Sequence, residues 1–132
     1  MNKIVWSDDF TVGVKEIDNQ HKKITEVLNG LIDQPELCSG SETIGVSLDL
    51  LSSLFASHFV LEEHLMKKNA FEQYDAHKAE HEESKKKIAE FCTAVKENEE
   101  QKANDLLAFL SKGWESHMRE EYFGYQDDIQ PE

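Results

Sequence analysis

Apolar residues recur along most of this chain at steps of three and four, the period of helices that each bury one face. The first stretch is predicted from Asp18, a suitable N-cap, through about Gln34. Its stripe is Ile17, Ile24, Leu28 and Leu31, with His21 in register. Pro35 ends it, and Ser39-Gly40-Ser41 reads as a turn. A second helix is predicted from about Ser41 to Lys68, with Asn69 as its stop; Ile44, Leu48, Leu51, Phe55, His58 and Glu62 share its stripe. A third runs from about Tyr74 to Asn98, with Tyr74, His77, His81, Ser84, Ile88, Phe91 and Val95 in line. A fourth runs from about Gln101 to Phe123 and carries Ala103, Leu107, Leu110, Trp114, His117 and Glu121. Gly124 closes it. Residues 1–17 show no helical period. There Trp6, Phe10, Val12 and Val14 predict an arm packed on the outside of the helices.

Four amphipathic helices with short connections predict an all-α fold, an antiparallel up-down four-helix bundle with an N-terminal arm. The 132 residues fit one domain, 1–132, with a core of its own. Six glycines, two prolines and 31% charged residues favour helix over sheet. The formal net charge of −13 opposes nucleic acid and anionic lipid as partners.

No stretch reads as long enough for a membrane-spanning helix, and MNKIVWSDDF lacks the apolar run of a signal peptide. Cys38 and Cys92 form neither a disulfide framework nor a spaced metal motif. The expectation is a cytoplasmic protein with reduced thiols, a monomer or weak oligomer without a membrane partner. No nucleophile motif, phosphate loop or independent acid/base pair predicts an enzyme.

The polar residues on the stripes change this picture. Five of the six histidines, His21, His58, His77, His81 and His117, fall on core-facing positions, and so does Glu62. His64 falls off its stripe and reads as a surface residue. Singly, each core histidine is an ordinary side chain held by a hydrogen bond. Together they are not. His58 and Glu62 are i,i+4 on one helix, His77 and His81 are i,i+4 on the next, and His21 and His117 come from the other two. An unpartnered buried polar group costs on the order of 1–3 kcal/mol. Neutral histidines bring as many donors as acceptors, and one carboxylate cannot serve five of them. A transition metal resolves the mismatch, since imidazole and carboxylate suit iron, manganese or zinc. Two metals sharing a carboxylate would use all the ligands.

Nearly the whole chain resembles the hemerythrin family, most closely its single-domain bacterial form. The resemblance is carried by "VGVKEIDNQHKKI" with His21, "HFVLEEHLM" with His58 and Glu62, "HKAEH" with His77 and His81, and "WESHM" with His117. It implies two iron ions joined by an oxo or hydroxo bridge, with dioxygen as a reversible ligand for storage, delivery or sensing. His77, His81 and His117 would hold a saturated iron. His21 and His58 would hold the other, which keeps an open position, and Glu62 would bridge them. Leu28, Phe55, Trp114 and Met118 would keep water and small nucleophiles away.

One position departs from the family's pattern. The second bridging carboxylate is an aspartate five residues after the last histidine, and here that residue is Tyr122. Three readings follow. Tyr122 binds a metal terminally as a phenolate. Glu121, i+4 from His117, takes over. Or neither binds, and the second metal is weakened or lost. The alternative function is then a metal-binding, or a peroxide- or nitric-oxide-reactive, iron protein with an altered centre.

Overall fold

The structure, a computed structural model, describes residues 1–34, 36–68 and 72–124, the last four of these as backbone only. Pro35 and Asn69, the expected helix stops, lie outside the described residues. Among the described residues four helices form, α1 (Lys15–Ile32), α2 (Glu42–Lys68), α3 (Tyr74–Lys96) and α4 (Glu100–Gly124), after a 3-10 turn at Asp8–Phe10. No strand occurs among the described residues. Each helix packs on the next, and α1 also meets α4. Side-chain pairs fix the directions. Ser52 meets Cys92 while Glu62 meets His81, so α2 and α3 run antiparallel. Lys87 reaches Phe109 while His81 approaches His117, so α3 and α4 do too.

The stripes become the core. Ile17, Ile24, Leu28, Leu31, Leu48, Leu51, Phe91, Leu107 and Met118 are essentially inaccessible. Burying one such side chain is worth about 1.5–3 kcal/mol. Connections follow local chemistry. Gly40 has φ +78°, which the expected turn needs and glycine adopts without strain. Asn98 takes φ 60° after α3, and Glu99 N donates to Ala94 O at 2.8 Å, a Schellman closure.

Three expectations are corrected. Asp18 is not the N-cap. Helix α1 begins at Lys15, and Asp18 N donates to Val14 O at 2.9 Å. The Asp18 carboxylate instead accepts from Val12 N at 2.7 Å, stitching the arm to the first turn. Second, the arm does not lie wholly outside. Ile4, Phe10 and Val12 are buried, Phe10 completely. Asn29 anchors the arm by donating to Ile4 O at 2.9 Å and accepting from Ile4 N at 2.8 Å. Third, α2 is long and apolar enough to cross a membrane by length and composition, with an 18-residue window of mean hydropathy 1.6. The cause is apolar residues on two faces. Val46, Leu50 and Val60 are exposed opposite the buried stripe of Ile44, Leu48, Leu51 and Phe55.

Candidate metal centre

Helix periodicity places His58 and Glu62 one turn apart on the buried face of α2, and both side chains have 0% exposure. Glu62 is the hub. Its Oε1 lies 2.8 Å from His81 Nε2, across on α3. Its Oε2 lies 2.9 Å from His58 Nε2 and 3.0 Å from His117 Nε2, on α4. Nε2 of His58 and Nε2 of His117 are 3.3 Å apart. The ligand atoms of His58, Glu62 and His117 all fall within 4.8 Å of one another.

The outer ring nitrogens are held as well. His21 Nδ1 is 2.6 Å from the Phe10 carbonyl oxygen. His58 Nδ1 is 2.9 Å from Gln20 Oε1, and His81 Nδ1 is 2.8 Å from Glu63 Oε2. All three partners are acceptors, so each Nδ1 carries the proton and donates. A neutral ring then presents a bare Nε2 lone pair. At His58 and His81 that lone pair confronts a carboxylate oxygen, and two acceptors at this distance need a proton or a cation between them. The donor set therefore fits a metal ion, with the outer partners fixing tautomer and ring orientation.

The same conflict raises the His81 pKa. Burial acts to lower it, but hydrogen bonding and charge from Glu62, then Glu63, outweigh burial and a further lowering by His117. Without metal, a proton on His81 bridges the two carboxylates.

The structure gathers the expected residues unevenly. The buried His21 ring stands 5.2 Å from the His58 ring and 5.3 Å from Trp114. His77 lies one turn before His81 and is half-buried, with Nδ1 3.9 Å from Glu80 Oε2. His117 shares a carboxylate oxygen with His58, whereas the resemblance divides the ligands by grouping His117 with His81 and His77. His64 is exposed, as expected. The side chains of Glu121 and Tyr122 lie outside the described residues; α4 extends past both.

Aromatic rings wall the cluster. Phe59 stacks on His81 with centroids 4.3 Å apart, and Trp114 stacks on His117 at 5.4 Å. Trp114 Nε1 donates to Thr25 Oγ1 at 3.1 Å, whose own hydroxyl reaches Met118 Sδ at 3.8 Å. Leu28, Phe55, Trp114 and Met118 are all buried. Three groups that hold the cluster's rings escape a reading by spacing: Gln20, Glu63 and the Phe10 carbonyl. Gln20 and Glu63 each adjoin a seam residue in sequence, His21 and Glu62, and that adjacency is their only signal.

The chain matches the family model for the hemerythrin HHE cation binding domain over residues 12–127. It is 32% identical over 98% of its length to a bacteriohemerythrin of Pseudomonas aeruginosa, covering 83% of that protein. A bacteriohemerythrin of Methylococcus capsulatus is 38% identical over 61% of this chain and 62% of its own length. A myohemerythrin of Theromyzon tessulatum is 30% identical over 82% and 84% respectively. No solved structure matches. A cation-binding helical domain is thus defined by sequence likeness and by its buried His/Glu cluster. The chain belongs to the hemerythrin family.

Proposed function

We propose that the chain holds two iron ions through His21, His58, Glu62, His77, His81 and His117 and binds dioxygen reversibly at them. One observation carries this reading: the two oxygens of the fully buried Glu62 face different histidines, His81 on one side and His58 with His117 on the other. This supports Glu62 as the carboxylate that would bridge the two metals. Ferrous iron bound there supplies the reversible electron transfer that dioxygen binding needs.

The residues do the rest. Phe10, Gln20 and Glu63 hold the outer nitrogens and aim each Nε2 inward. Trp114 and Phe59 cover ring faces and exclude water, which slows irreversible oxidation. Relatives named bacteriohemerythrin and myohemerythrin support the same reading. The role is storage, delivery or sensing of oxygen by a protein that is not an enzyme.

Tyr122 favours a second reading. With a phenol where the family pattern has its aspartate, the centre would react with peroxide or nitric oxide, or hold one iron. The experiment is anaerobic loading with ferrous iron, desalting, iron counting, and repeated cycles of oxygen and vacuum under a spectrometer. Two irons per chain and a colour change that reverses are expected. One iron, or a change that vacuum cannot undo, sinks the oxygen-carrier reading.

A further inference from the structure

A crevice between α3 and α4 reaches the metal cluster. It is a cavity of about 250 Å³ whose rim is formed by the exposed Glu80, Glu83 and Phe109 and the half-buried Lys87. Phe59, Trp114 and His117 line its inner end. His117 is correspondingly the most exposed of the residues around Glu62, at 17% against 0% for His58 and Glu62 and 2% for His81.

Gly113 lies on the crevice wall, inside α4. Glycine within a helix is unfavourable relative to alanine. Nothing local requires it here: its φ is not among the positive values, and an added Cβ would meet nothing within 4 Å. Gly113 is itself exposed and lines the crevice, so a longer side chain there has open space at the crevice wall to occupy.

The rim sets what can enter. The chain carries a net charge of −13, and two of the four rim residues are carboxylates. The Lys87 ammonium is engaged by Glu90 at 3.5 Å and sits 5.9 Å from the Phe109 ring centre. Within, apolar rings would strip an anion of water without replacing it. A neutral apolar diatomic meets neither barrier.

We propose that this crevice is the route by which neutral dioxygen reaches the metal centre, that it turns anions away, and that Gly113 keeps it open. The proposal rests on the oxygen-binding reading, but its first test needs no iron. In the full-length metal-free protein carrying Trp6→Phe, Trp114 is the sole tryptophan, and dissolved oxygen and iodide serve as collisional quenchers of its fluorescence. Oxygen is expected to quench efficiently and iodide weakly. Gly113→Leu should lower the oxygen quenching constant severalfold, and Phe109→Ala, at a rim residue 59% exposed, should raise it. Equal oxygen quenching in all three proteins, or iodide quenching as strong as oxygen quenching, overturns the proposal. In iron-loaded protein, Gly113→Leu should slow oxygen uptake and release by the same severalfold factor, leaving affinity unchanged. Unchanged rates there overturn the route directly. A loaded protein that never oxygenates while the quenching pattern holds overturns the oxygen-binding reading instead.

Discussion

Glu63 accepts a hydrogen bond from the outer nitrogen of His81 at 2.8 Å, while its chain neighbour Glu62 faces the inner nitrogen of the same ring at the same distance. One imidazole is thus bracketed by two consecutive carboxylates. The inner one is a candidate metal ligand, and the outer one makes His81 a better donor. Outer partners of this kind are worth roughly 10- to 100-fold in metal affinity. Glu63→Ala should weaken iron binding by that order without changing the number of irons bound at saturation. Competition against a ferrous chelator measures it. Unchanged affinity would mean that Glu63 only solvates the rim.

The same bracket gives the metal-free protein a pH signature. His81 has its pKa raised in the fold by Glu62 and Glu63. Its contribution to stability is therefore complete below its unfolded value, about 6.5, and is lost as pH rises through the folded value. The chelated protein should melt at a lower temperature at pH 8 than at pH 6. Glu63→Gln should flatten that slope. The loaded protein should show the opposite trend in metal affinity, because protons compete for the ligand nitrogens. A chelated protein that gains stability from pH 6 to 8 contradicts the assignment.

Much of this arrangement is legible in the sequence, and the remainder is not, for physical reasons. A three-and-four stripe needs only apolar side chains in register, so Leu28, Leu51, Phe91 and Leu107 disclose the bundle directly. Histidines on those stripes disclose the cluster, because a core has few other uses for so many. Asp18 misleads as a cap because its carboxylate reaches back to Val12. Gln20 and Glu63 sit at seam borders, where a side chain belongs to the neighbouring helix as much as to its own. The Phe10 carbonyl has no side-chain signature at all, since backbone oxygens are the same at every residue. The apolar length of α2 escapes a reading by one stripe, because Val46, Leu50 and Val60 lie on a second, exposed face.

Trp114 spans the cluster, stacked on His117 and edge-on to His58, and its only polar atom is held by Thr25 at 3.1 Å. Thr25→Val keeps the shape and removes the acceptor. A buried N–H without a partner costs about 1–3 kcal/mol. Urea unfolding of the metal-free variant should show a loss of that size with an unchanged m-value. No loss would mean that Trp114 finds another acceptor.

Glu62 should couple metal binding to folding. Anything that binds the folded chain alone raises its stability by mass action. Iron loading should therefore raise the melting temperature of the parent protein, and Glu62→Ala should abolish most of that rise. The variant should also hold fewer irons per chain by elemental analysis. Full iron content in Glu62→Ala would remove Glu62 from the centre and leave the histidines to account for binding alone.

Tyr122 is the position where a single change separates the competing readings. A phenolate at iron favours the ferric state and works against an oxygen carrier, whereas a carboxylate bridges two irons without that bias. Tyr122→Asp should therefore lengthen the lifetime of the oxygenated form and bring iron content to two per chain if the parent falls short. Tyr122→Phe separates ligation from packing, because it keeps the ring and removes the oxygen. If Tyr122 ligates, Tyr122→Phe loses a visible phenolate-to-iron absorption that the ferric parent shows; if it only packs, the two ferric spectra coincide. Glu121→Gln completes the set, since loss of one iron in that variant alone would assign the second carboxylate to Glu121. The readouts are iron count, ferric spectrum and autoxidation half-life, and Tyr122→Asp autoxidising faster than the parent would show that tyrosine protects the centre instead of compromising it.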